Sequence, residues 1–215
     1  MNDPRFSRDL SDSIVVALDN GLKTLSGSFQ SSRENPCDGV EAEEMSESEK
    51  AHAAGLMRVN HVGEICAQAL YEGQSMTAAS SAVKEKLRKA GEEERDHLAW
   101  CSSRLKELES RESLLAPVFY ASSFCVGAIT GLLGDKYSLG FVEATEDRVV
   151  EHIDEHLDSL PEKDLRSRAI LRQMREDEKR HGEEALAFGG VEFSERTKRV
   201  MKILAGIMTK STYRF

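Results

Sequence analysis

Proline is scarce in this sequence, and so is the alternation of apolar and polar residues that marks β-strands. Only 4 of the 215 residues are proline, and apolar side chains recur at steps of three and four residues over long stretches. This spacing is typical of amphipathic helices. The mass of 23.9 kDa is enough for one domain with a substantial core. We therefore predict an all-α protein.

Cysteine pairs of the kind that bind zinc or iron are missing. The 4 cysteines (Cys37, Cys66, Cys101 and Cys125) form no C-x-x-C motif, which excludes a zinc knuckle or a rubredoxin-type site. They are expected to be isolated thiols in a reducing compartment. The N-terminus lacks the charged-then-apolar order of a signal peptide, so we expect a cytosolic start.

Basic residues are outnumbered by acidic ones. With 29 Lys and Arg against 38 Asp and Glu, the formal charge is -9, and nucleic acid is not expected as a partner because phosphate binding requires a basic surface. The stretch 194–215 departs from this balance, since its basic residues far outnumber its single acidic residue, Glu195. The C-terminus is therefore a local cation.

The chain divides into an N-terminal arm over 1–48 and a helical domain over 49–215. The arm contains an amphipathic stretch over 10–25, followed by a Ser- and Glu-rich stretch over 26–48 that we predict to be a mobile linker. Helix ends are indicated by Pro161, by Gly189-Gly190 and by Ser194 as an N-cap. The predicted core helices cover 49–76, 81–110, 114–133, 136–159, 162–188 and 194–210.

Two E-x-x-H motifs lie well inside predicted helices, at 94–97 and at 178–181. Residues three apart share one face of a helix, so each Glu and His can bind the same metal ion. A lone glutamate precedes each motif at a similar distance, which indicates two helix hairpins related by pseudo-two-fold symmetry. This is the ligand set of a ferritin-like di-iron four-helix bundle. The candidate metal ligands are Glu64, Glu94, His97, Glu146, Glu178 and His181.

A single E-x-x-H motif also has an ordinary explanation, because acidic residues are abundant and a solvated helix face carries Glu and His by chance. Here, however, Glu94, Glu146 and Glu178 occupy core positions of apolar stripes. A buried carboxylate is costly unless it is paired or bound to metal. Carboxylates and imidazoles without thiolates favour iron or manganese over zinc and leave the choice between those two open.

His152 follows Glu146 by less than two helical turns and has two interpretations. It is either an ordinary histidine on the helix surface or a group that orients a ligand or meets the substrate.

Residues 114–133 carry no charged side chain, and the run is long enough to span a bilayer. Spanning would separate the helices on either side of it, which have to share a metal site. We therefore expect this helix to lie at a membrane surface or to cover a channel into the site, with the basic C-terminus on anionic lipid. The alternative is a buried hairpin helix with an ordinary solvated C-terminus.

The segments LMRVNHVGE at 56–64 and CAQALYEGQ at 66–74, together with EERDHL at 93–98 and DEKRH at 177–181, resemble the demethoxyubiquinone hydroxylase family of ubiquinone biosynthesis. The resemblance extends over nearly the full length and includes the helix over 143–157. The amphipathic stretch of the arm is similar to that of bacterial members. Ile153 is a departure, because some members have a Tyr after the histidine that matches His152, and no role of that Tyr carries over.

This resemblance implies a ferritin-like di-iron monooxygenase, peripheral on the cytoplasmic face of the cell membrane. It would use O2 to hydroxylate a 2-polyprenyl-3-methyl-6-methoxy-1,4-benzoquinol, with the membrane surface and other proteins of ubiquinone biosynthesis as partners. His152 would orient a ligand or face the substrate. By motif match, one iron ion binds Glu64, Glu94 and His97, and the other binds Glu146, Glu178 and His181, with Glu94 and Glu178 bridging the two.

Two other functions compete with this one. Iron storage or peroxide detoxification uses the same fold, but it has no need of an uncharged helix or a basic tail, and a rubrerythrin would carry C-x-x-C motifs. A non-enzymatic, membrane-bound scaffold of a biosynthetic complex would have no use for glutamates in its core.

Overall fold

The computed structural model describes residues 4–28 and 31–214, and every regular element in these ranges is an α-helix. The all-α prediction is confirmed, and the six predicted core helices correspond to α2 to α7 with ends that differ by three residues at most. The helices are α1 (Pro4–Ser26), α2 (Glu47–Thr77), α3 (Ser81–Glu107), α4 (Ala116–Leu132), α5 (Asp135–Ser159), α6 (Leu165–Ala187) and α7 (Glu195–Thr212).

Local sequence sets the helix ends. Ser46 and Glu49 form a capping box that begins α2, and Ser194 accepts from the Thr197 amide at the start of α7, as predicted. After α6, Gly189 has a φ of 108°, and its amide and that of the next residue return to the carbonyls of Leu186 and Ala185. Glycine takes this conformation without steric cost, so the predicted stop at Gly189-Gly190 is confirmed.

Four helices enclose the core. α2 packs against α3 and α5 against α6, and the two hairpins meet through contacts of α3 with α6 and of α2 with α5. Burying these apolar side chains stabilises the bundle and fixes the positions of the four helices relative to one another. The side chains at the centre of the main core cluster include Met57, Leu105, Ile153, Leu171 and Met174.

The uncharged helix α4 packs along α2 at close backbone distance. A Cβ atom placed on Gly127 would collide with the carbonyl oxygen of Leu70, and one on Gly73 would collide with that of Phe124. The two helices approach this closely because both contact positions lack a side chain.

The C-terminal half of α1 is anchored to the bundle by a half-buried carboxylate. Glu72 on α2 accepts from Asn20 of α1 at 2.8 Å and from the Tyr120 hydroxyl of α4 at 2.6 Å. Gly21 lies directly against the Tyr120 ring. These contacts join α1, α2 and α4. The predicted amphipathic stretch over 10–25 thus lies within a helix, and the side chains of residues 10, 11, 13 and 14 in it lie outside the described residues.

The prediction of a mobile linker over 26–48 is wrong for its described part after α1, which is anchored to the bundle. Cys37 is 1% exposed and belongs to the main core cluster. Ser31 and Ser32 hydrogen-bond to Asp96 of α3, and Arg33 pairs with Asp96 and Asp177. The polar composition that indicated a solvated linker serves here to satisfy buried charges on α3 and α6.

Candidate metal centre

The structure brings together all six residues that the sequence singles out as metal ligands. Each lies on a bundle helix and is almost fully buried. They are Glu64 on α2, Glu94 and His97 on α3, Glu146 on α5, and Glu178 and His181 on α6.

The six residues form two overlapping groups. In the first group, each residue offers one ligand atom, and these atoms all lie within 4.8 Å of one another; the group contains Glu64, Glu94, His97 and Glu178. The same holds for Glu94, Glu146, Glu178 and His181. Glu94 and Glu178 belong to both groups, which is the arrangement that two adjacent ions sharing bridging carboxylates require.

Both histidines point the same ring nitrogen at the glutamates. Nδ1 of His97 lies 2.9 Å from Glu94 Oε2 and 2.9 Å from Glu178 Oε1. Nδ1 of His181 lies 3.0 Å from Glu94 Oε1 and 3.2 Å from Glu178 Oε2. One N–H cannot satisfy two carboxylates equally well, whereas a cation at this position can bind both carboxylates and the nitrogen.

The outer nitrogens of the two rings face a second pair of carboxylates. Nε2 of His97 lies 3.0 Å from Asp177 Oδ2, and Nε2 of His181 lies 3.2 Å from Glu93 Oε2. Arg180 pairs with both carboxylates, at 2.6 Å from Glu93 and 3.0 Å from Asp177. A carboxylate on Nε2 keeps the proton there and leaves Nδ1 to bind metal.

Sequence analysis missed these outer carboxylates. The available signal was the acidic residue directly before each motif glutamate, Glu93 before Glu94 and Asp177 before Glu178. This signal is weak, because consecutive residues on one helix point in different directions. Glu93 and Asp177 each reach the histidine of the facing helix, and that pairing depends on how α3 packs on α6.

The electrostatics of the cluster favour a cation. Burial raises the pKa of Glu64 and of Glu146 well above the usual range. Burial also disfavours a charged His97, but Glu178 and Glu94 outweigh it and hold the pKa of that imidazole well above its usual value. Among the described residues, no donor is aligned for a hydrogen bond to Oε2 of Glu64 or Oε1 of Glu94, although Nδ1 of His97 lies 3.4 Å from the first and Nδ1 of His181 lies 3.0 Å from the second. Protons on these buried carboxyl and imidazole groups therefore offset the negative charge of the cluster. A divalent ion would offset it better, so the residues fit a metal centre.

Tyr71 completes the surroundings of one ligand. Its hydroxyl donates to Oε1 of Glu146, and both side chains are buried. Burial raises the pKa of Tyr71 well above its usual value, so the phenol stays protonated and acts as a donor. A cavity of about 480 Å³ reaches Tyr71 and His181 from between α3, α5 and α6.

The structure does not bring His152 to the six residues. Nδ1 of His152 lies 3.3 Å from Glu155 Oε2, and its ring lies 4.3 Å from that of His156, between centroids. Both histidines line a separate cleft with Tyr213 and Lys210. The structure thus places His152 beside Glu155 and His156, and its role in orienting a ligand or facing the substrate stays a prediction.

Large apolar side chains are exposed on the helices that surround the bundle. No helix within residues 4–28 and 31–214 has the combination of length and hydropathy that a transmembrane span requires. The exposed side chains include Val15, Leu18 and Leu22 on α1, Val118, Ile129 and Leu132 on α4, and Val200, Ile203, Leu204 and Ile207 on α7.

A four-helix bundle in which two hairpins each contribute a lone glutamate and an E-x-x-H motif to one buried cluster defines the class of ferritin-like di-metal carboxylate proteins. The family described as ubiquinone biosynthesis protein COQ7 matches residues 51–212. The chain belongs to this family.

Curated relatives extend the similarity to nearly the whole chain. A protein of Chromohalobacter salexigens is 50% identical over 211 residues, covering 97% of this chain and 99% of its own. One of Pseudomonas aeruginosa is 52% identical over 204 residues (94% and 95%), and one of Ralstonia pickettii is 48% identical over 214 residues (94% and 99%). All three are named 3-demethoxyubiquinol 3-hydroxylase. The predicted family is confirmed.

Proposed function

We propose that this protein is a di-iron monooxygenase that hydroxylates a demethoxyubiquinol, with O2 as the oxygen source, in ubiquinone biosynthesis. The observation that carries the proposal is the pair of overlapping ligand groups that share Glu94 and Glu178. The names of relatives about 50% identical over nearly the full chain supply the reaction.

Each hairpin supplies the terminal ligands of one ion. Glu64 and His97 would hold the first iron and Glu146 and His181 the second, and Glu94 and Glu178 would be shared by both. Hard carboxylate oxygens suit iron in both of its common oxidation states. When bound, two ferrous ions supply the electrons for the reduction of O2.

The protein's own residues orient the ligands and keep the site dry. Asp177 and Glu93 hold the two imidazoles with Nδ1 inward. The hydroxyl of Tyr71 holds Glu146. Trp100 is 2% exposed and its ring lies 5.3 Å from that of His97, between centroids, so it covers the cluster on the α3 side. A rigid, water-poor pocket confines oxidising chemistry to the bound substrate.

The polyprenyl tail of the substrate requires access from lipid. We place the protein on the cytoplasmic face of the cell membrane, attached peripherally through the exposed apolar side chains of α1, α4 and α7. The basic residues of α7 support this attachment, since Lys202 and Lys210 are exposed on the same helix as Ile203 and Ile207. Other proteins of ubiquinone biosynthesis would be further partners.

The test is a single-turnover reaction. Protein loaded anaerobically with two equivalents of ferrous iron is mixed with a short-chain methoxy-methyl-benzoquinol and ¹⁸O-labelled O2, and the product is analysed by mass spectrometry. We expect one labelled hydroxyl in the product, absent for Glu178→Ala and retained for Glu183→Ala, whose glutamate is 71% exposed on the same helix. Two bound irons and consumption of O2 without hydroxylated product would instead indicate iron oxidation or peroxide chemistry.

A further inference from the structure

The segment between α1 and α2 crosses the outer face of the two E-x-x-H helices. The backbone amide of Ser32 donates to Asp96 Oδ1 at 2.6 Å. The indole N–H of Trp100 donates to Ser31 Oγ at 3.1 Å, and the guanidinium of Arg33 lies 4.7 Å from the centre of the Trp100 ring. Residues 31–33 therefore run along α3 on the outer side of His97.

Arg33 joins α3 to α6. Its Nε donates to Asp96 Oδ2 at 2.8 Å, and its Nη1 donates to Asp177 Oδ2 at 2.8 Å. Asp96 is 2% exposed and Asp177 is 5% exposed. Two buried carboxylates on facing helices repel each other unless a cation is placed between them, and the guanidinium fork provides donors for both.

The same Asp177 oxygen contacts a candidate metal ligand. Oδ2 of Asp177 lies 3.0 Å from Nε2 of His97, whose Nδ1 faces Glu64, Glu94 and Glu178. The other oxygen of Asp177 is held by Arg180 and Gln173. Arg33 therefore fixes the particular oxygen that orients the imidazole of His97.

The two halves of the site differ in the origin of this support. On the His181 side, Glu93 is held by Arg180, which lies on α6 one residue before His181. On the His97 side, the corresponding cation comes from residue 33, which lies outside the residues 51–212 that match the family model. Arg180 of the bundle contacts only the other oxygen of Asp177, so the N-terminal arm supplies the arginine on the oxygen that faces His97.

We propose that Arg33 is a positioning residue of the metal centre: by holding Asp177 it fixes the His97 imidazole with Nδ1 toward the ion. The proposal rests on the di-metal site of the proposed function. Loss of such an outer contact weakens metal binding because the ligand then has to be oriented at the moment of binding.

The experiment is an anaerobic titration of the full-length, metal-free protein with Co²⁺, whose visible absorption reports the ligands around each ion. We expect two ions per wild-type chain. In Arg33→Ala we expect one ion to bind about 10- to 100-fold more weakly, with its absorption band changed, while the other ion binds as before. Arg33→Lys should restore part of the loss, since an ammonium provides a charge but no fork.

Arg166 provides the matched control. It also ties the arm to the bundle, through Val40 O at 2.8 Å and Cys37 Sγ at 3.3 Å, but its described contacts do not include Asp177. Arg166→Ala should leave both cobalt affinities and both bands as in wild type. In the double variant Arg33→Ala/Asp177→Asn, the loss should be no greater than in Asp177→Asn alone, because the arginine acts through that aspartate.

Three results would overturn the role of Arg33 while leaving the di-metal site intact. The first is Co²⁺ binding in folded Arg33→Ala that matches wild type, and the second is an equal loss in Arg166→Ala, which would reduce Arg33 to an anchor of the arm. The third is additive losses in the double variant. If Arg33→Ala does not fold, Arg33→Gln, which keeps donors without charge, takes its place in each comparison. A wild-type chain that binds fewer than two ions would defeat the di-metal site itself, and the role of Arg33 with it.

Discussion

The hydroxyl of Tyr71 on α2 donates a hydrogen bond to Oε1 of Glu146 on α5, so that the first hairpin positions a candidate metal ligand carried by the second. Tyr71→Phe removes this donor and leaves the ring in place. We expect a folded protein whose turnover of the benzoquinol falls by roughly tenfold or more, in line with the loss of other contacts that orient ligands. Tyr137→Phe, at a 41% exposed tyrosine, is the control and should be unaffected.

The core glutamates are expected to destabilise the metal-free fold. Burial raises the pKa of Glu64, which shows how unfavourable its charged form is. Glu64→Gln should therefore leave the chelated protein equally stable or raise its free energy of unfolding by about 1 to 4 kcal/mol, and should weaken the rise in Tm on adding ferrous iron. Thermal unfolding with and without chelator measures both effects. A chelated variant clearly less stable than wild type would contradict the expectation, and exposed Glu183→Gln is the control.

His156 predicts a pH dependence of stability. Burial, together with the charges of His152 and His52, lowers the pKa of His156 to about 3, and its Nδ1 lies 3.1 Å from the Asn60 side-chain oxygen. The unfolded chain binds a proton at this residue below about pH 6.5, whereas the folded chain does not until about pH 3. The contribution of neutral His156 to the free energy of unfolding is complete above the pKa of the unfolded chain. It is lost as the pH falls toward 3, by up to about 1.4 kcal/mol per pH unit.

His156→Gln keeps a donor for Asn60 and does not titrate. Denaturant unfolding of the chelated protein at several values between pH 7 and pH 4 should therefore show a shallower loss of stability in the variant. If the free energy of unfolding fell equally with pH in wild type and variant, His156 would titrate alike in the folded and unfolded chain, against the prediction.

The close approach of α4 to α2 predicts opposite effects for two glycine-to-alanine changes. Gly127→Ala places a methyl group against the Leu70 carbonyl, and we expect a loss of about 1 to 3 kcal/mol or more, since backbone has to move. Gly206→Ala in α7 meets no atom within 4 Å and should be neutral or stabilise by about 0.5 to 1 kcal/mol through helix propensity. Chemical denaturation of both variants is the measurement, and equal losses would refute the account.

The proposed membrane attachment predicts which apolar residues matter. Ile203 and Ile207 are 62% and 60% exposed on α7, and replacing both by Asp should reduce flotation with vesicles of anionic lipid severalfold at low salt. Leu186→Asp, at an apolar residue of α6 that is 37% exposed, should float as wild type does. Absence of wild-type flotation at low salt would remove the membrane proposal.

The helices and the gathering of the six residues could be predicted because both depend on local periodicity. Glu94, Glu146 and Glu178 stand where a core residue belongs, and a misplaced charge in an apolar stripe is visible without a structure. The repeated order of a lone Glu followed by E-x-x-H was enough to pair the hairpins. The roles of the six as iron ligands stay a prediction.

The contacts around the cluster could not be predicted, because they depend on how separate helices pack. Asp177 reaches His97 across the α3–α6 interface, and Arg33 reaches Asp177 over a separation of 144 residues. The composition of the arm was misleading, because its many Ser and Glu residues predicted a solvent-exposed linker. Sequence also could not place the side chain of His152: it is near Glu146 in sequence, but its ring lies beside that of His156.

The division of the ligands between the hairpins also constrains how the centre is made. Each of the two overlapping groups contains Glu178, which lies on α6, the last helix of the bundle to leave the ribosome. A nascent chain ending before α6 presents Glu64, Glu94 and His97 on an unpaired hairpin, with no complete set for either ion. A metal ion that needs either complete group would therefore bind only after the second hairpin has docked, so that insertion of the metal would follow folding of the bundle.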